Sequence, residues 1–343
     1  MPHPSTWLIP RPEGLYCVPA DVFIDPTRAV PHAVITHAHA DHARPGHGAV
    51  LATAPTIALM QQRYGAAKCA KSVQPLAWHE TVVVNGVRIS LAPAGHVLGS
   101  AQVVLEHLGS RAVISGDYKR AADPTCAPFE PVPCDVFVTE ATFGLPVFTH
   151  PPAVHEAAKL IDSLKLFPQR PHLVCVYSLG KAQRLIAVLR GLGYDAPIYL
   201  HSALIPLCAV YEQFGVALGA LRPLAGTAPG AVNGAIVLVP PAAMATAGGR
   251  ALRDPVVAFA SGWMRLRQRA RASGVELPLI ISDHADWPEL LQTLDDVAAP
   301  EVWVTHGAED ALIHAAGKTG RVARALRMIG YGDEETIAAD APA

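Results

Sequence analysis

The segment Ala33-Val-Ile-Thr-His37-Ala-His39-Ala-Asp41-His42 is an apolar run that stops at four potential metal ligands within six residues. The β-branched residues before the histidines are typical of a strand. Side chains alternate along an extended chain, so His37 and His39 are expected on one side, and Asp41 and His42 can turn toward a second ion. Neutral imidazole and ionised carboxylate both suit zinc. The alternative is a solvated histidine-rich loop, and the position directly after a strand argues against it.

Two ions need more ligands than this loop supplies, and two further strand ends offer them. Pro93-Ala-Gly95-His96 puts a histidine in a turn of small residues, and Val113-Ile-Ser-Gly116-Asp117 ends a strand with a carboxylate. A glycine beside each ligand allows close approach of the backbone. Alone, His96 would be interpreted as a loop histidine and Asp117 as a turn former. Beside the first cluster, they predict a metal centre.

The composition limits the kind of protein that can carry this centre. The chain has 343 residues, 51% of them hydrophobic, which is enough for one large domain or two ordinary ones. Its formal net charge is only −2, so contact with nucleic acid would depend on local basic patches. The six cysteines form no Cys-x-x-Cys pair and are expected to be reduced. No leader or membrane-spanning stretch is evident, so a soluble, cytoplasmic protein without membrane association is expected.

The first third of the chain is predicted to be mainly strand, with one helix at Ala54–Tyr64, where Pro55 is a plausible first-turn proline. The predicted strands are short β-branched runs: Val22–Ile24, Ala33–Thr36, Val82–Val84, Val87–Leu91, Gln102–Glu106 and Arg111–Ser115.

After Pro151 the pattern changes to an alternation of helix and strand, which predicts a parallel α/β unit. An exposed, mobile loop is expected at Pro240–Asp254, and strands are expected again at Leu279–Ser282 and Val302–Thr305, before a helix at His314–Ile329. The alternating elements are Val154–Phe167, Leu173–Tyr177, Lys181–Leu192, Ile198–His201, Ile205–Phe214 and Ile236–Val239.

The ligand motifs, in this order and spacing, resemble those of the metallo-β-lactamase superfamily. The resemblance implies an αββα sandwich with a dinuclear site on one edge. It assigns the first metal to His37, His39, His96 and Asp117, and the second metal to Asp41, His42 and a bridging Asp117. Asp25 resembles the early motif aspartate, which orients ligands. A plain turn residue before Pro26 is the alternative for Asp25.

Three later segments resemble the β-CASP nucleases, in which a second α/β domain is inserted into this fold. They are Thr139-Glu140-Ala-Thr-Phe-Gly144, Ser282-Asp-His284-Ala-Asp286 and Thr305-His306-Gly307. The resemblance divides the chain into 1–150, an inserted domain at 151–278, and a return to the first domain at 279–343. It adds His306 to the second metal and makes His284, paired with Glu140, the general acid.

A narrower resemblance runs nearly end to end, to the bacterial ligase-associated DNA damage response exonucleases. It implies a DNA exonuclease that acts 5′ to 3′ on single strands, with two divalent ions, zinc or else manganese, and with a DNA ligase and a helicase as partners. One departure is Ala243–Leu252, where a segment with Ser and Trp is expected. The matching motifs are Gly14-Leu-Tyr16, Phe148-Thr-His150-Pro151, Tyr177-Ser-Leu-Gly-Lys-Ala-Gln-Arg184, Ser261-Gly-Trp-Met264 and Ser282-Asp-His-Ala-Asp-Trp287.

Hydroxyl and cationic side chains in these motifs are candidates to contact backbone phosphates: Ser178, Lys181, Arg184 and Ser261. The alternative for the two cations is a solvated helix face. A dense basic run from Arg265 to Arg271, beside Trp263, resembles a nucleic-acid groove if it is extended. It could also be a surface feature without a ligand.

Other functions stay open at this stage because the fold alone does not fix the substrate. A β-CASP ribonuclease is the first alternative. A small-molecule ester or thioester hydrolase is disfavoured by the inserted domain and the basic run. A non-catalytic scaffold is disfavoured because every expected ligand is present.

Overall fold

A computed structural model describes residues 1–228, 230–244, 252–266, 268 and 274–326. The chain divides into two compact units, after Thr149 and after Asp283. Of the described residues, the first unit contains Met1–Thr149 and 284–326, and the second contains those of His150–Asp283. The sequence alone places these divisions after residues 150 and 278.

The first unit contains a six-stranded sheet whose strands lie in chain order. The first three strands are antiparallel to one another and the later ones are parallel. Helix α1 (Ala54–Tyr64) begins at Thr53, whose hydroxyl accepts from the amide of Thr56, and lies against the last strand. The strands are β1 (Leu8–Arg11), β2 (Gly14–Cys17), β3 (Val22–Ile24), β4 (His32–Val34), β5 (His47–Ala52) and β6 (Ala70–Pro75), and the short α2 (Ala66–Cys69) precedes β6.

A seven-stranded sheet completes this unit. Its strands are β7 (Thr81–Val84), β8 (Val87–Pro93), β9 (Ala101–His107), β10 (Ser110–Ile114), β11 (Val136–Ala141), β18 (Glu301–Gly307) and β19 (Val322–Ala325). The spatial order is β19-β18-β11-β10-β9-β8-β7, antiparallel from β7 to β10 and parallel from β10 to β19.

The two sheets pack face to face through a continuous apolar core. Leu15 and Ile24 of the first sheet belong to the same buried cluster as Val103 and Val138 of the second, with Trp303 among them. Each such side chain contributes about 1.5–3 kcal/mol when it is removed from water.

Helices α7 (Trp287–Val297) and α8 (Glu309–Lys318) cover the outer face of the second sheet. There, Phe137 and Val304 pack with Leu290 and Leu312. Helix α1 lies beside the first sheet, so the layers are helix, sheet, sheet and helix. The predicted αββα sandwich is confirmed.

The second unit contains a six-stranded sheet in which every pair is parallel, as the alternation of helix and strand predicts. Its spatial order is β14-β13-β15-β12-β16-β17. The strands are β12 (His172–Cys175), β13 (Ile198–Leu200), β14 (Leu221–Pro223), β15 (Ile236–Val239), β16 (Val256–Ala260) and β17 (Leu277–Leu279), and the helices are α3 (Ala153–Leu166), α4 (Lys181–Gly191), α5 (Ile205–Gln213) and α6 (Pro241–Met244).

The predicted helix His314–Ile329 is wrong in its second half. Helix α8 begins five residues earlier, at Glu309, and ends at Lys318, before Gly320 at φ +83°. The chain then forms β19, which pairs with β18. Parallel pairing along a buried strand outweighs the helical spacing that the sequence pattern suggests. Residues 327–329 lie outside the described part.

The predicted strand Leu279–Ser282 is displaced along the chain. Strand β17 ends at Leu279, and the next amide, of Ile280, donates to the Glu156 carboxylate at 2.9 Å instead of to a strand. This side-chain acceptor ends the ladder three residues earlier than predicted.

Several sequence expectations fall partly outside the described residues. The loop Pro240–Asp254 and the departure Ala243–Leu252 include residues 245–251, and of the basic run only Arg265, exposed at the end of a 3-10 helix, can be placed among the four arginines. The six cysteines form no disulfide. Within the described residues, no helix is long and apolar enough to cross a bilayer.

Candidate metal centre

One edge of the two-sheet sandwich collects the predicted ligands. The loop after β4 carries His37, the turn after β8 carries His96, and the loop after β10 carries Asp117. These donors come together because several strands of the unit end at this edge. Among the described residues, four overlapping sets have donor atoms within 4.8 Å of one another: His37, His39, His96 and Asp117; His42, Asp117 and His306; Asp25, His37 and His42; and Asp117, Glu140 and His284.

The first set contains three imidazoles and one carboxylate. His39 Nδ1 lies 3.0 Å from His96 Nε2. Asp117 Oδ2 lies 3.4 Å from His37 Nε2 and 3.8 Å from His96 Nε2. All four side chains are buried.

The second set shares Asp117 with the first. His42 Nε2 lies 3.5 Å from Asp117 Oδ2, and His306 Nε2 lies 3.3 Å from Asp117 Oδ1. Asp41 Oδ2 approaches His42 Nε2 at 3.7 Å. One carboxylate therefore offers an oxygen to each set, which is the arrangement expected of a bridging ligand.

The donor set fits divalent metal ions. Ligand atoms placed about 2.1 Å from a tetrahedral zinc lie about 3.4 Å from one another, close to the separations here. His37 Nε2 is fully buried and has no hydrogen-bond partner among the described residues. Since a buried polar atom without a partner is costly, the arrangement is better explained by ligation than by structural hydrogen bonding.

The pKa values of the first set favour ligation as well. Burial lowers the pKa of His37 well below its usual range, and the neighbouring His42 lowers it further. Burial also lowers the pKa of His96, together with His284 and His37. Both rings are therefore neutral at physiological pH, which is the form that binds metal.

In the second set, neighbouring opposite charges shift the pKa values of Asp117 and His42 against the effect of burial. Burial would raise the pKa of Asp117, but the nearby His42 and His37 hold it well below its usual range. Burial would lower the pKa of His42, but Asp117, Asp41 and Asp25 raise it well above the usual value. The negative charge that holds a proton on His42 would equally attract a metal cation.

Asp25 and Thr36 hold two of the ligand rings in place through their Nδ1 atoms. Asp25 Oδ1 accepts from the Thr36 amide at 2.7 Å, and Oδ2 accepts from the Thr36 hydroxyl at 2.5 Å and contacts His42 Nδ1 at 2.8 Å. The hydroxyl of Thr36 also lies 3.0 Å from His37 Nδ1. These contacts fix the tautomers that present Nε2 of His37 and His42 toward the shared carboxylate. Asp25 is therefore placed to orient ligands, as the resemblance implies.

Gly116 occupies a tight position directly before the shared ligand. Its φ is +56°, and a Cβ atom there would lie 2.7 Å from both Cβ and Oγ1 of Thr36. A side chain at this position would push Thr36 away from Asp25 or move Asp117.

A carboxylate–imidazole pair lies beside the metal donors. His284 Nδ1 is 2.9 Å from Glu140 Oε2 and 4.0 Å from Asp117 Oδ2, and both side chains are buried. Glu140 Oε1 accepts from the amide of Tyr118 at 2.8 Å, which fixes the carboxylate. Because Nδ1 of His284 contacts the Glu140 carboxylate, only the other ring nitrogen, Nε2, can exchange a proton with a substrate.

The four candidate phosphate-binding residues lie in the second unit. Ser178 is half-buried after β12, and Ser261 caps a 3-10 helix through the amide of Trp263. Lys181 and Arg184 are buried rather than on a solvated helix face. Asp283 lies 3.8 Å from Lys181 Nζ and 3.2 Å from Arg184 NH1.

Sequence reasoning missed three residues around the centre. Thr36 stands inside the ligand motif but offers no metal donor, so nothing singles it out. Lys119, which is buried, and Glu289, which is partly buried, form an ion pair at 2.7 Å near the centre. A signal for Glu289 was available, because Asp286-Trp-Pro-Glu289 has the spacing of a capping box.

Comparisons with known proteins agree with this geometry. A protein of Opitutus terrae named probable DNA ligase is 30% identical over 312 residues, which cover 88% of this chain and 29% of that protein. Endoribonuclease YSH1 of Saccharomyces cerevisiae is 34% identical over 156 residues, 41% of this chain and 20% of that protein. The chain thus spans less than a third of the length of these curated relatives. No family model matches.

A solved structure shares the fold. The crystal structure of a protein of unknown function from Enterococcus faecalis has a TM-score of 0.57 and 10% identity, and the match covers 88% of this chain and 80% of that one. The relatives and the αββα layers together lead to one conclusion. The chain belongs to the metallo-β-lactamase superfamily and, within it, to the β-CASP group.

Proposed function

We propose that this chain is a metal-dependent nuclease that hydrolyses phosphodiester bonds in DNA. The observation that carries the proposal is the Glu140–His284 pair, whose imidazole lies 4.0 Å from the shared ligand Asp117. A metal centre alone suits many hydrolases, whereas a buried proton donor beside it suits a reaction with a poor alkoxide leaving group.

Two divalent ions at this edge would activate a water molecule and neutralise charge on the phosphoryl oxygens. The bond from phosphorus to the sugar oxygen breaks, and a bond from phosphorus to the water oxygen forms. His284 donates a proton to the leaving sugar oxygen through Nε2, while Glu140 holds Nδ1 and orients the ring. Asp25 and Thr36 keep the ligand rings aligned.

The donor set favours zinc, because imidazole nitrogen and carboxylate oxygen are its usual ligands outside thiolate sites. His37, His39, His96 and Asp117 would hold the first ion. Asp41, His42, His306 and Asp117 would hold the second. Manganese is the alternative, since it accepts the same carboxylates.

DNA is the preferred polymer because the relative that matches most of this chain is named a probable DNA ligase. That protein contains a segment similar to 88% of this chain within a much longer sequence. We infer a 5′ to 3′ exonuclease on single strands that prepares ends for a ligase, with a helicase as a further partner, as the motif resemblance implies. Ser178, Lys181, Arg184 and Ser261 would contact the phosphate backbone.

RNA is the second candidate substrate. The relatives named endoribonuclease YSH1 match 34–41% of this chain, at identities that include 34% over 156 residues. A protein that processes RNA would use the same metal donors and the same Glu140–His284 pair.

The test is digestion of end-labelled single-stranded DNA and of RNA with the same sequence. Purified protein is assayed with chelator, zinc or manganese, beside Asp117→Ala. The matched control is Asp162→Ala, which removes an exposed aspartate of α3 whose carboxylate forms an exposed ion pair with Lys165.

Release of mononucleotides from DNA that requires metal and Asp117 supports the proposal, and the labelled end reports the polarity. Cleavage of RNA alone moves the function to RNA processing. If neither the wild-type protein nor Asp162→Ala cleaves DNA or RNA, the nuclease proposal is overturned.

A further inference from the structure

An ion pair joins the two loops that carry the central residues of the site. Lys119 Nζ lies 2.7 Å from Glu289 Oε2. Lys119 follows Asp117 by two residues. Glu289 lies in the first turn of α7, whose N-cap Asp286 follows His284 by two residues. All of these residues belong to the first unit.

The Glu289 carboxylate holds both loops through their backbones as well. Its Oε1 accepts from the amide of Ala121 at 2.7 Å, on the Asp117 side. Its Oε2 accepts from the amide of Asp286 at 3.1 Å, on the His284 side. A single carboxylate therefore fixes the separation of two chain segments that are far apart in sequence.

The backbone between these anchors completes the connection. The amide of Ala285 donates to the carbonyl of Tyr118 at 2.6 Å, and the amide of Tyr118 donates to Glu140. The residues that directly follow His284 are thus tied to the segment that follows Asp117. A shift of that segment would move the Glu140–His284 pair relative to the metal ligands.

Stability alone is a poor explanation for this pair. The Lys119 side chain is only 7% exposed and that of Glu289 17%, so both charges lose most of their hydration. Buried ion pairs are often no more stabilising than apolar residues of similar volume. What the pair provides is a defined geometry, because a short charged contact tolerates little displacement.

We propose that Lys119 and Glu289 are positioning residues, and that their ion pair sets the distance between the Glu140–His284 pair and the shared ligand Asp117. The proposal rests on the proposed nuclease function. Neither residue touches the reacting atoms. Misplacement of a catalytic group by about 1 Å can reduce the rate about 100-fold, so loss of this ion pair should have a measurable effect. We call the Lys119–Glu289 ion pair, with the backbone contacts of the Glu289 carboxylate, the Lys119–Glu289 lock.

The chain contains a matched control. Arg120 NH2 contacts Asp296 Oδ2, which joins the same loop to the same helix, at the opposite end of α7 from His284. Asp296→Asn weakens the attachment of the loop to the helix but leaves the anchors beside His284 in place. This variant therefore separates the effect of loosening the loop from helix α7 in general from the effect of losing the Lys119–Glu289 ion pair.

The experiment compares Lys119→Met, Glu289→Gln and Lys119→Arg with Asp296→Asn. Amide hydrogen exchange and metal content are measured on each protein, and kcat and KM are measured on single-stranded DNA. Glu289→Gln is the second test variant because glutamine retains a capping acceptor, so the protein still folds if Lys119→Met does not.

We expect Lys119→Met and Glu289→Gln to lower kcat about 10- to 100-fold, with KM and metal content within about 2-fold of wild type. Exchange should accelerate at the amides of Ala121, Ala285 and Asp286. Lys119→Arg should restore most of kcat, and Asp296→Asn should change neither kcat nor exchange at those amides.

Unchanged exchange at these three amides in Glu289→Gln, or a kcat equal to wild type, overturns the positioning role. Loss of metal instead of kcat also overturns it, since the pair would then support ligation. If wild type cleaves no nucleic acid, the nuclease proposal fails separately, and the exchange pattern alone decides whether the lock exists.

Discussion

Two buried clusters of charged and polar side chains differ in how their charges are balanced. In the first unit, the imidazoles around Asp117 point ring nitrogens at one another and at one carboxylate, 3.0–3.8 Å apart. In the second unit, the cations Lys181 and Arg184 meet the carboxylate of Asp283. The first cluster is composed of electron-pair donors, whereas the second combines opposite charges.

This difference shows how burial alone can mislead. Both clusters cost free energy to desolvate. In the second, Lys181 and Arg184 offset part of that cost by pairing with Asp283, whereas in the first the rings of His37 and His96 are neutral and bring no positive charge to Asp117. The first requires an external cation to satisfy its donors together. A cluster of ligands without matching cations is therefore a stronger indication of metal binding than the number of histidines.

The largest expected effect comes from removing the shared carboxylate. Zinc should raise the Tm of the wild-type protein, because ligand at 1,000 times Kd stabilises the folded state by about 4.1 kcal/mol. Asp117→Ala should abolish this increase and nearly all nuclease activity. Differential scanning calorimetry with zinc and with chelator measures the effect. An equal zinc-dependent increase in Asp117→Ala would show that the first cluster does not need an ion.

His284→Gln should separate catalysis from metal binding. Loss of a positioned proton donor lowers rates by about 100- to 10,000-fold. Because His284 contacts Glu140 at 2.9 Å and is not among the residues proposed to hold either ion, zinc content should be retained. Single-turnover rates and elemental analysis of the same preparation test this. Parallel loss of metal and rate would assign His284 to the metal ligands instead.

Asp283→Asn should affect the second cluster alone. It leaves two buried cations without this carboxylate, which costs about 3 kcal/mol, at the low end for buried pairs because Lys181 Nζ is 3.8 Å away. Urea unfolding measures the loss. The zinc-dependent increase in Tm should persist in this variant, and its disappearance would contradict the separation of the two clusters.

Asp25→Asn should give the smallest effect, a loss of about 10- to 100-fold in metal affinity. Asparagine can still accept a hydrogen bond from the Thr36 amide, but it no longer places a negative charge beside Nδ1 of His42. Competition with a fluorescent zinc chelator measures the affinity, and Asp21→Asn, at an exposed neighbouring turn, is the control. An affinity equal to that of wild type would leave Asp25 as a turn residue.

The sequence predicts the metal ligands better than it predicts the residues that hold those ligands in place. His37, His96 and Asp117 are recognisable because each follows a strand and belongs to a residue type with few other reasons to be buried there. Thr36 and Lys119 are common residue types whose roles depend on tertiary contacts, so local pattern does not reveal them. The sequence predicts helix for the last strand, β19, because its own residues show no strong alternation. Its strand conformation depends on pairing with β18, which local pattern does not reveal.

Gly116 has a consequence for how related sequences are interpreted. A chain with a larger residue at this position could retain every histidine and aspartate of the site, yet its Thr36 could not remain where it holds Asp25 and His37. A survey that counts ligands would classify such a chain as an active enzyme. The glycine therefore offers a diagnostic for inactive members of the superfamily, one that is invisible in the list of metal donors.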